Sequence, residues 1–334
     1  MKKFFVLLAA TVMSLALAMP SSAANRPWKA LGLNLGTGLI QKNYEQPFFE
    51  NFAEKTGVAI AVTYSPLDVT GLKTEETLRV LKSGLFDVVA LRAAQAARDD
   101  QFLLGPDLVG LCTDYDTARK VYDRYKEAYI KRVEEKFGAK LMGLWPFGPQ
   151  VVFSRVELKS LADFKGKKVR VYDQSLAQFV QSVGGTPVSV NFGEVQQALS
   201  RGVVDIAITG ISSANTAGWP EVTQYLMPIG FQVSFNGYAI NKKAWDGLTK
   251  EEQEKIQTAF DKLNEEIWQY SESINEDALR CTTGQKPCET VREYNMTRLP
   301  VTDEDREVVR KGLIDISFPA WSAVCDKAAP TCPT

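Results

Sequence analysis

Residues 165–210, KGKKVRVYDQSLAQFVQSVGGTPVSVNFGEVQQALSRGVVDIAITG, alternate strand and helix signals in a way that decides the fold. Lys168 to Tyr172 runs Lys, Val, Arg, Val, Tyr, a period of two that predicts a short strand. Asp173 or Ser175 caps the next helix, in which Leu176, Phe179, Val180 and Val183 fall at i, i+3, i+4 and i+7. Gly184 and Gly185 stop it. Asn191 with Glu194 three residues on predicts a capping-box start for a second helix, and Gly202 ends it. Val203 to Thr209 is a nearly continuous apolar run, as a strand covered on both faces requires. Strand–helix–strand–helix–strand order predicts parallel pairing, in which loops at the strand ends build binding sites. Arg170 stands near such an end, where its charged fork suits an anion.

The N-terminal region repeats this plan. Trp28 to Leu35 predicts a strand that ends in the turn Gly36–Gly38. Pro47 to Lys55 predicts a helix with Phe48, Phe49 and Phe52 inward and Gly57 closing it. Val58 to Tyr64 predicts a strand, Thr74 to Lys82 a helix, and Phe86 to Leu91 a third strand with Arg92 at its end. Two similar α/β lobes are the simplest architecture. Tyr115 to Phe137 predicts a charged amphipathic helix closed by Gly138. Ala139 to Trp145 and Gln150 to Phe153 predict strands split by Pro146 and Pro149, where the chain crosses between lobes. After Gly210 the chain is polar and turn-rich as far as Trp219 and Pro220. Phe235 to Asn241 predicts a strand returning to the first lobe. Thr249 and Glu252 form a capping box that opens a helix of roughly 32 residues, near 48 Å at 1.5 Å per residue. Such a length spans both lobes.

The chain has 334 residues, of which 45% are hydrophobic, enough for two domains with substantial cores. Its first stretch, MKKFFVLLAATVMSLALAMPSSAA, reads as a secretory signal peptide cut after Ala23 or Ala24. The apolar run of about 16 residues is shorter than the roughly 20 a spanning helix needs. Without Lys2 and Lys3, 37 basic residues face 40 acidic ones. No long basic block occurs, so a nucleic-acid partner is not expected. Cys281 with Cys288, and Cys325 with Cys332, share one spacing and suggest two small disulfide loops in an exported chain; other pairings of the four stay open. Cys112 is left as a buried thiol. The chain contains no His, which argues against a zinc site and removes His-based acid–base chemistry and the usual triads. Neither a dinucleotide fingerprint nor a P-loop occurs, so no cofactor is expected. Paired carboxylates remain available for hydrolysis.

The residues Gly166 to Val171, Gly185 to Pro187, Phe192 to Asp205 and Glu221 to Leu226 together resemble the motifs of the extracytoplasmic solute receptors of tripartite ATP-independent periplasmic (TRAP) transporters, the DctP-type periplasmic binding proteins. TGVAIAVTY, LKSGLFDVV at Leu81 to Val89 and NKKAWDGLTKEEQEKIQ add to the resemblance, which covers nearly the whole chain after the leader. It implies a two-lobed α/β periplasmic binding protein of type II-like plan, a long helix across both lobes, and a cleft that closes on one organic anion. The family's carboxylate-gripping Arg falls on Arg170 and its pocket-wall Phe on Phe192. This chain departs from the sialic-acid-binding members: Thr209 stands where they have Asn, Gln150 where they have a second Arg, and Arg92 where they have an acidic residue.

The resulting expectation is a signal peptide at 1–24, one lobe from 25–147 with 236–277, and a second from 148–235 with 278–334. The protein is expected to be a monomeric periplasmic receptor, not an enzyme, that delivers a C4-dicarboxylate or a related hydroxy or keto carboxylate to small and large TRAP membrane subunits. Arg170 is the expected primary clamp. Arg92 is a second charge or an ion-pair partner, Gln150 and Thr209 are polar contacts, and Phe192 and Trp219 are walls. A receptor for an ATP-driven importer or a chemosensor, and an exported carboxylate-based hydrolase, are the alternatives.

Overall fold

The computed structural model describes residues 27–35 and 38–328. The leader at 1–24, Gly36 of the first turn, and Cys332 lie outside these residues. Among these residues ten strands form one mixed sheet: β1 Trp28–Gly32, β2 Val62–Pro66, β3 Val88–Arg92, β4 Ala139–Ser154, β5 Lys168–Val171, β6 Thr186–Ser189, β7 Ile206–Gly210, β8 Tyr225–Met227, β9 Val233–Asn241 and β10 Thr297–Arg298. The order is β2-β1-β3-β9-β4-β7-β5-β6, with β8 beside β4 and β10 beside β8. The two strand–helix repeats give the two parallel blocks, β2-β1-β3 and β7-β5-β6. Antiparallel β9 and β4 lie between them.

The two strands expected on either side of Pro146 and Pro149 are one continuous strand, β4, of 16 residues. Its first part pairs with β9 as far as Pro149 and its last part, from Gln150, pairs with β7. The pairing shifts register between Leu141 and Leu144 and again between Pro146 and Pro149. Proline is tolerated at such irregularities because no ladder hydrogen bond needs its missing N–H.

Three apolar clusters fill the molecule. The first gathers β1, β3, β9 and the aromatic side chains Phe48, Phe49, Phe52 and Phe260. The Phe48 and Phe260 ring centroids lie 4.8 Å apart. The helix expected from Pro47 begins earlier, as a π-turn over Gln41–Glu45, and breaks once at Asn51 before Gly57 closes it at φ 66°. The other two clusters lie on opposite faces of the second parallel block. Ile206 and Ile208 of β7 face one and Ala207 faces the other, which is why this strand is apolar throughout. The polar stretch after Gly210 is a short helix, Ile211–Thr216, and Asn191 begins its helical turn without a side-chain cap bond.

The long helix runs from Lys250 to Thr282, 33 residues, opened by the Thr249–Glu252 capping box. Its Ile256, Phe260, Leu263 and Ile267 pack into the first cluster and Ala278 into the third. It is also tied to the irregular part of β4. Asn264 Nδ2 donates to the Met142 carbonyl at 2.8 Å and Trp268 Nε1 to the Leu144 carbonyl at 3.3 Å. The first register shift brackets these carbonyls, so the helix supplies donors where the ladder is disturbed. Cys281 and Cys288 form a disulfide at its end. Cys325 is disulfide-bonded as well, and Cys112 is the buried free thiol. Trp321 and Cys325, from the last helix, Phe318–Ala328, return to the first cluster. Among the described residues no helix is long and apolar enough to cross a membrane.

A buried acid lies under β1. Glu45 Oε1 accepts from the Leu33 N–H at 2.9 Å and from the Tyr64 hydroxyl at 2.9 Å. Burial pushes this carboxyl up to about 7 despite those bonds and the nearby Arg92. Between its ordinary value and about 7 the folded state holds a proton that the unfolded chain has released, so stability falls as pH rises through that window. Replacing Glu45 with Gln should therefore flatten the decline between pH 5 and 7.5 by roughly 3 kcal/mol, read from urea unfolding at stepped pH. An unchanged slope would exclude Glu45 as its source. Asn264→Ala should cost about 1–3 kcal/mol in the same assay, because the Met142 carbonyl loses its donor.

Candidate functional site

The C-terminal ends of β3, β5 and β6 converge on one cleft of about 590 Å³, the usual place for a ligand on parallel sheet. One wall, with Asn34, Leu67, Lys73 and Arg92, comes from the first block. The other, with Arg170, Tyr172, Asp173 and Phe192, comes from the second. The cleft leads into a smaller recess of about 30 Å³ on which Gln95, Asp107, Gln150, Thr209 and Asn236 border together with both arginines.

Arg170 owes its position to strand alternation. Val169 and Val171 enter an apolar cluster, so the residue between them faces the other side of the sheet. Only 3% of Arg170 is exposed. Its Nε donates to the Val190 carbonyl at 3.0 Å and its Nη1 to the Ile208 carbonyl on β7 at 3.1 Å. The guanidinium carbon lies 5.6 Å from the Tyr172 ring centroid and 5.8 Å from that of Trp219. Burial pushes this guanidinium down to about 10, with Tyr172 opposing that shift and Arg92 adding to it, so it stays charged at neutral pH. Among the described residues neither Arg170 nor Arg92 forms an ion pair. A cation held on two neutral carbonyls, with Nη2 left over, can take a carboxylate from the cleft.

Arg92 ends β3 and lies over the Phe147 ring, 4.9 Å from its centroid. Its Nε is buried without a partner. Burial lowers its guanidinium from the ordinary value, opposed by Tyr172, Glu45 and Asp107. Two acids complete the electrostatics. Asp173 caps the helix Gln174–Ser182 through the Leu176 N–H and takes a bond from Gln232 Nε2 at 3.2 Å; burial still pushes it up to about 6. Asp107 accepts from the Ala94 and Phe235 N–H groups and is pushed well above the usual carboxylate range by burial.

The structure brings five of the six sequence-selected residues, Arg170, Arg92, Gln150, Thr209 and Phe192, around this one space. Gln150 Nε2 donates to the Gly148 carbonyl at 2.9 Å. Trp219 is placed differently: it is fully buried, off the cavity lining, with its ring 5.5 Å behind Phe192 and edge-on to Phe153. It backs the wall that Phe192 presents. The sequence reading missed Tyr172, Asp107, Gln95, Ser234 and Asn236. Tyr172 was legible, since it follows Arg170 by two and points the same way. The Tyr172 hydroxyl and Ser234 Oγ, 3.2 Å apart, meet at the recess. Asp107 and Gln95 lie in segments without periodicity and gave no signal.

The family model described as bacterial extracellular solute-binding protein, family 7, matches residues 35–312. The chain is 27% identical over 286 residues to the C4-dicarboxylate-binding periplasmic protein of Rhodobacter capsulatus, with 82% of each covered. It is 24% identical over 208 residues to the ectoine-binding periplasmic protein of Halomonas elongata, where the match spans 61% of each. In three dimensions it resembles a Bordetella pertussis extracytoplasmic solute receptor binding pyroglutamic acid, with a TM-score of 0.79 at 18% identity over 89% of this chain and 94% of that one. That likeness establishes the two-lobed fold. The chain therefore belongs to the family 7 bacterial extracellular solute-binding proteins, the solute receptors of TRAP transporters, which bind their substrates and are not enzymes.

Proposed function

We propose that this protein is a periplasmic receptor that captures one small organic acid between two lobes and delivers it to the small and large subunits of a TRAP permease. Its leader at 1–24 directs export, and the mature chain works as a monomer. The substrate is a small organic acid held by its carboxylate, and C4-dicarboxylates and related hydroxy or keto carboxylates are the candidates to test. One observation carries the reading: Arg170 is buried at the cleft, is fixed by two backbone carbonyls, and forms no ion pair among the described residues, Asp173 acting on it only from a distance. A ligand carboxylate supplies the partner charge in a site sheltered from water, where such a pair is worth more than at the surface.

The lobes comprise 25–147 with 236–277 and 148–235 with 278–334, except that the last helix returns to the first core through Trp321 and Cys325. Arg170 is the clamp and Arg92 the second charge. Gln150 and Thr209 offer polar contacts, and Phe192, backed by Trp219, forms a wall. Ligand bound between the lobes favours closure through its higher affinity for the closed state.

The test is calorimetry with the acid that gives the largest thermal shift in a screen of organic acids. Arg170→Ala should weaken binding at least about 100-fold, near 3 kcal/mol. Arg170→Lys should recover only part of it, because an ammonium cannot reproduce the two carbonyl bonds and still face the ligand. Circular dichroism should show the parent's helix content in both variants. Unchanged affinity in a folded Arg170→Ala variant would overturn the reading.

A further inference from the structure

The recess behind the two arginines holds three buried atoms without a hydrogen-bond partner in the protein: Arg92 Nε, Asn236 Nδ2 and Gln95 Oε1. Asn236 is 1% exposed, so its amide cannot turn to bulk water. Buried polar atoms are seldom left unpaired, and three around one small space mark where a ligand's polar atoms go. Their kinds matter. Two are donors and suit an acceptor oxygen. The third is an acceptor and needs an O–H or N–H. Asp107 borders the same space, held by the Ala94 and Phe235 N–H groups at 2.9 and 2.8 Å, and its charge acts on Arg92. Arg92 therefore has an acid beside it in the recess, as Arg170, which borders the same space, has Asp173 near it.

We propose that this recess is a subsite for a neutral polar group bearing both an acceptor and a donor. The ligand is then a monocarboxylate whose far end is an amide or a hydroxyl-bearing carbonyl, and not a dicarboxylate. This deepens the organic-acid reading above and rests on it. The carboxylate meets Arg170. The neutral group's oxygen lies between Arg92 Nε and Asn236 Nδ2, and its N–H or O–H faces Gln95 Oε1. A second carboxylate in the recess has no hydrogen to give Gln95. It also meets Asp107, so that like charges repel or Asp107 must take up a proton.

The experiment compares dicarboxylates of three to six carbons with their own monoamides, with 2-hydroxy and 2-oxo monocarboxylates, and with plain monocarboxylates of equal length. Thermal shift screens the panel and calorimetry measures affinities on the purified protein, stripped of bound solute. At least one acid with a neutral polar end should bind about tenfold or more tighter than both the matching dicarboxylate and the matching plain acid. Asp107→Asn should bring dicarboxylate and monoamide to within about threefold of one another. If that variant does not fold, Asn236→Ala and Arg92→Gln serve instead: each should erase the advantage of the polar acid over the plain one. Dicarboxylates binding as tightly as their monoamides would overturn the subsite while leaving the organic-acid receptor standing. If no acid on the panel binds, both readings fall.

Discussion

A guanidinium that forms no ion pair among the described residues, held almost out of reach of water, is the constraint around which this molecule is arranged. Removing such a charge from solvent costs several kcal/mol unless hydrogen bonds and an opposite charge offset it. Here the backbone supplies the hydrogen bonds, through Val190 and Ile208. These carbonyls sit beside two different neighbouring strands, so Arg170 is fixed only when β5, β6 and β7 are in register. In the proposed function the solute supplies the opposite charge, and its binding would then depend directly on the sheet's alignment.

The parallel blocks were legible because their signals are local. Period-two strands, caps and glycine stops all fall within a dozen residues, and Tyr115–Phe137 and Lys250–Thr282 match their sequence patterns almost to the residue. The errors arose where tertiary contacts override local rules. Pro146 and Pro149 argue against a strand, yet β4 runs through both, because shifted register and long-helix donors meet its backbone needs. Asn191 has the spacing of a capping box, but its cap is made without the side chain.

The site was half legible. Arg92, Arg170 and Thr209 stand at or next to strand ends, and strand ends can be read. Asp107 reaches the recess from a 3₁₀ segment whose path depends on Cys112, Tyr125 and Trp321 packing around it. Asn236 lies on β9, where its neighbours give no hint of which face meets solute. Such residues acquire meaning only once distant strands are laid side by side. Trp219 shows the converse: an aromatic beside a proline looks like a wall from sequence, but its full burial makes it the support of one.

The manner in which the long helix is joined to β4 bears on how the lobes move. Its midsection is fastened to β4 by Asn264 and Trp268, its far end packs into the third cluster through Ala278, and the Cys281–Cys288 bridge ties its last turn to the loop that follows. One rigid element thus touches both strand blocks, so any change in the angle between them has to bend this helix or shift one of its anchoring contacts.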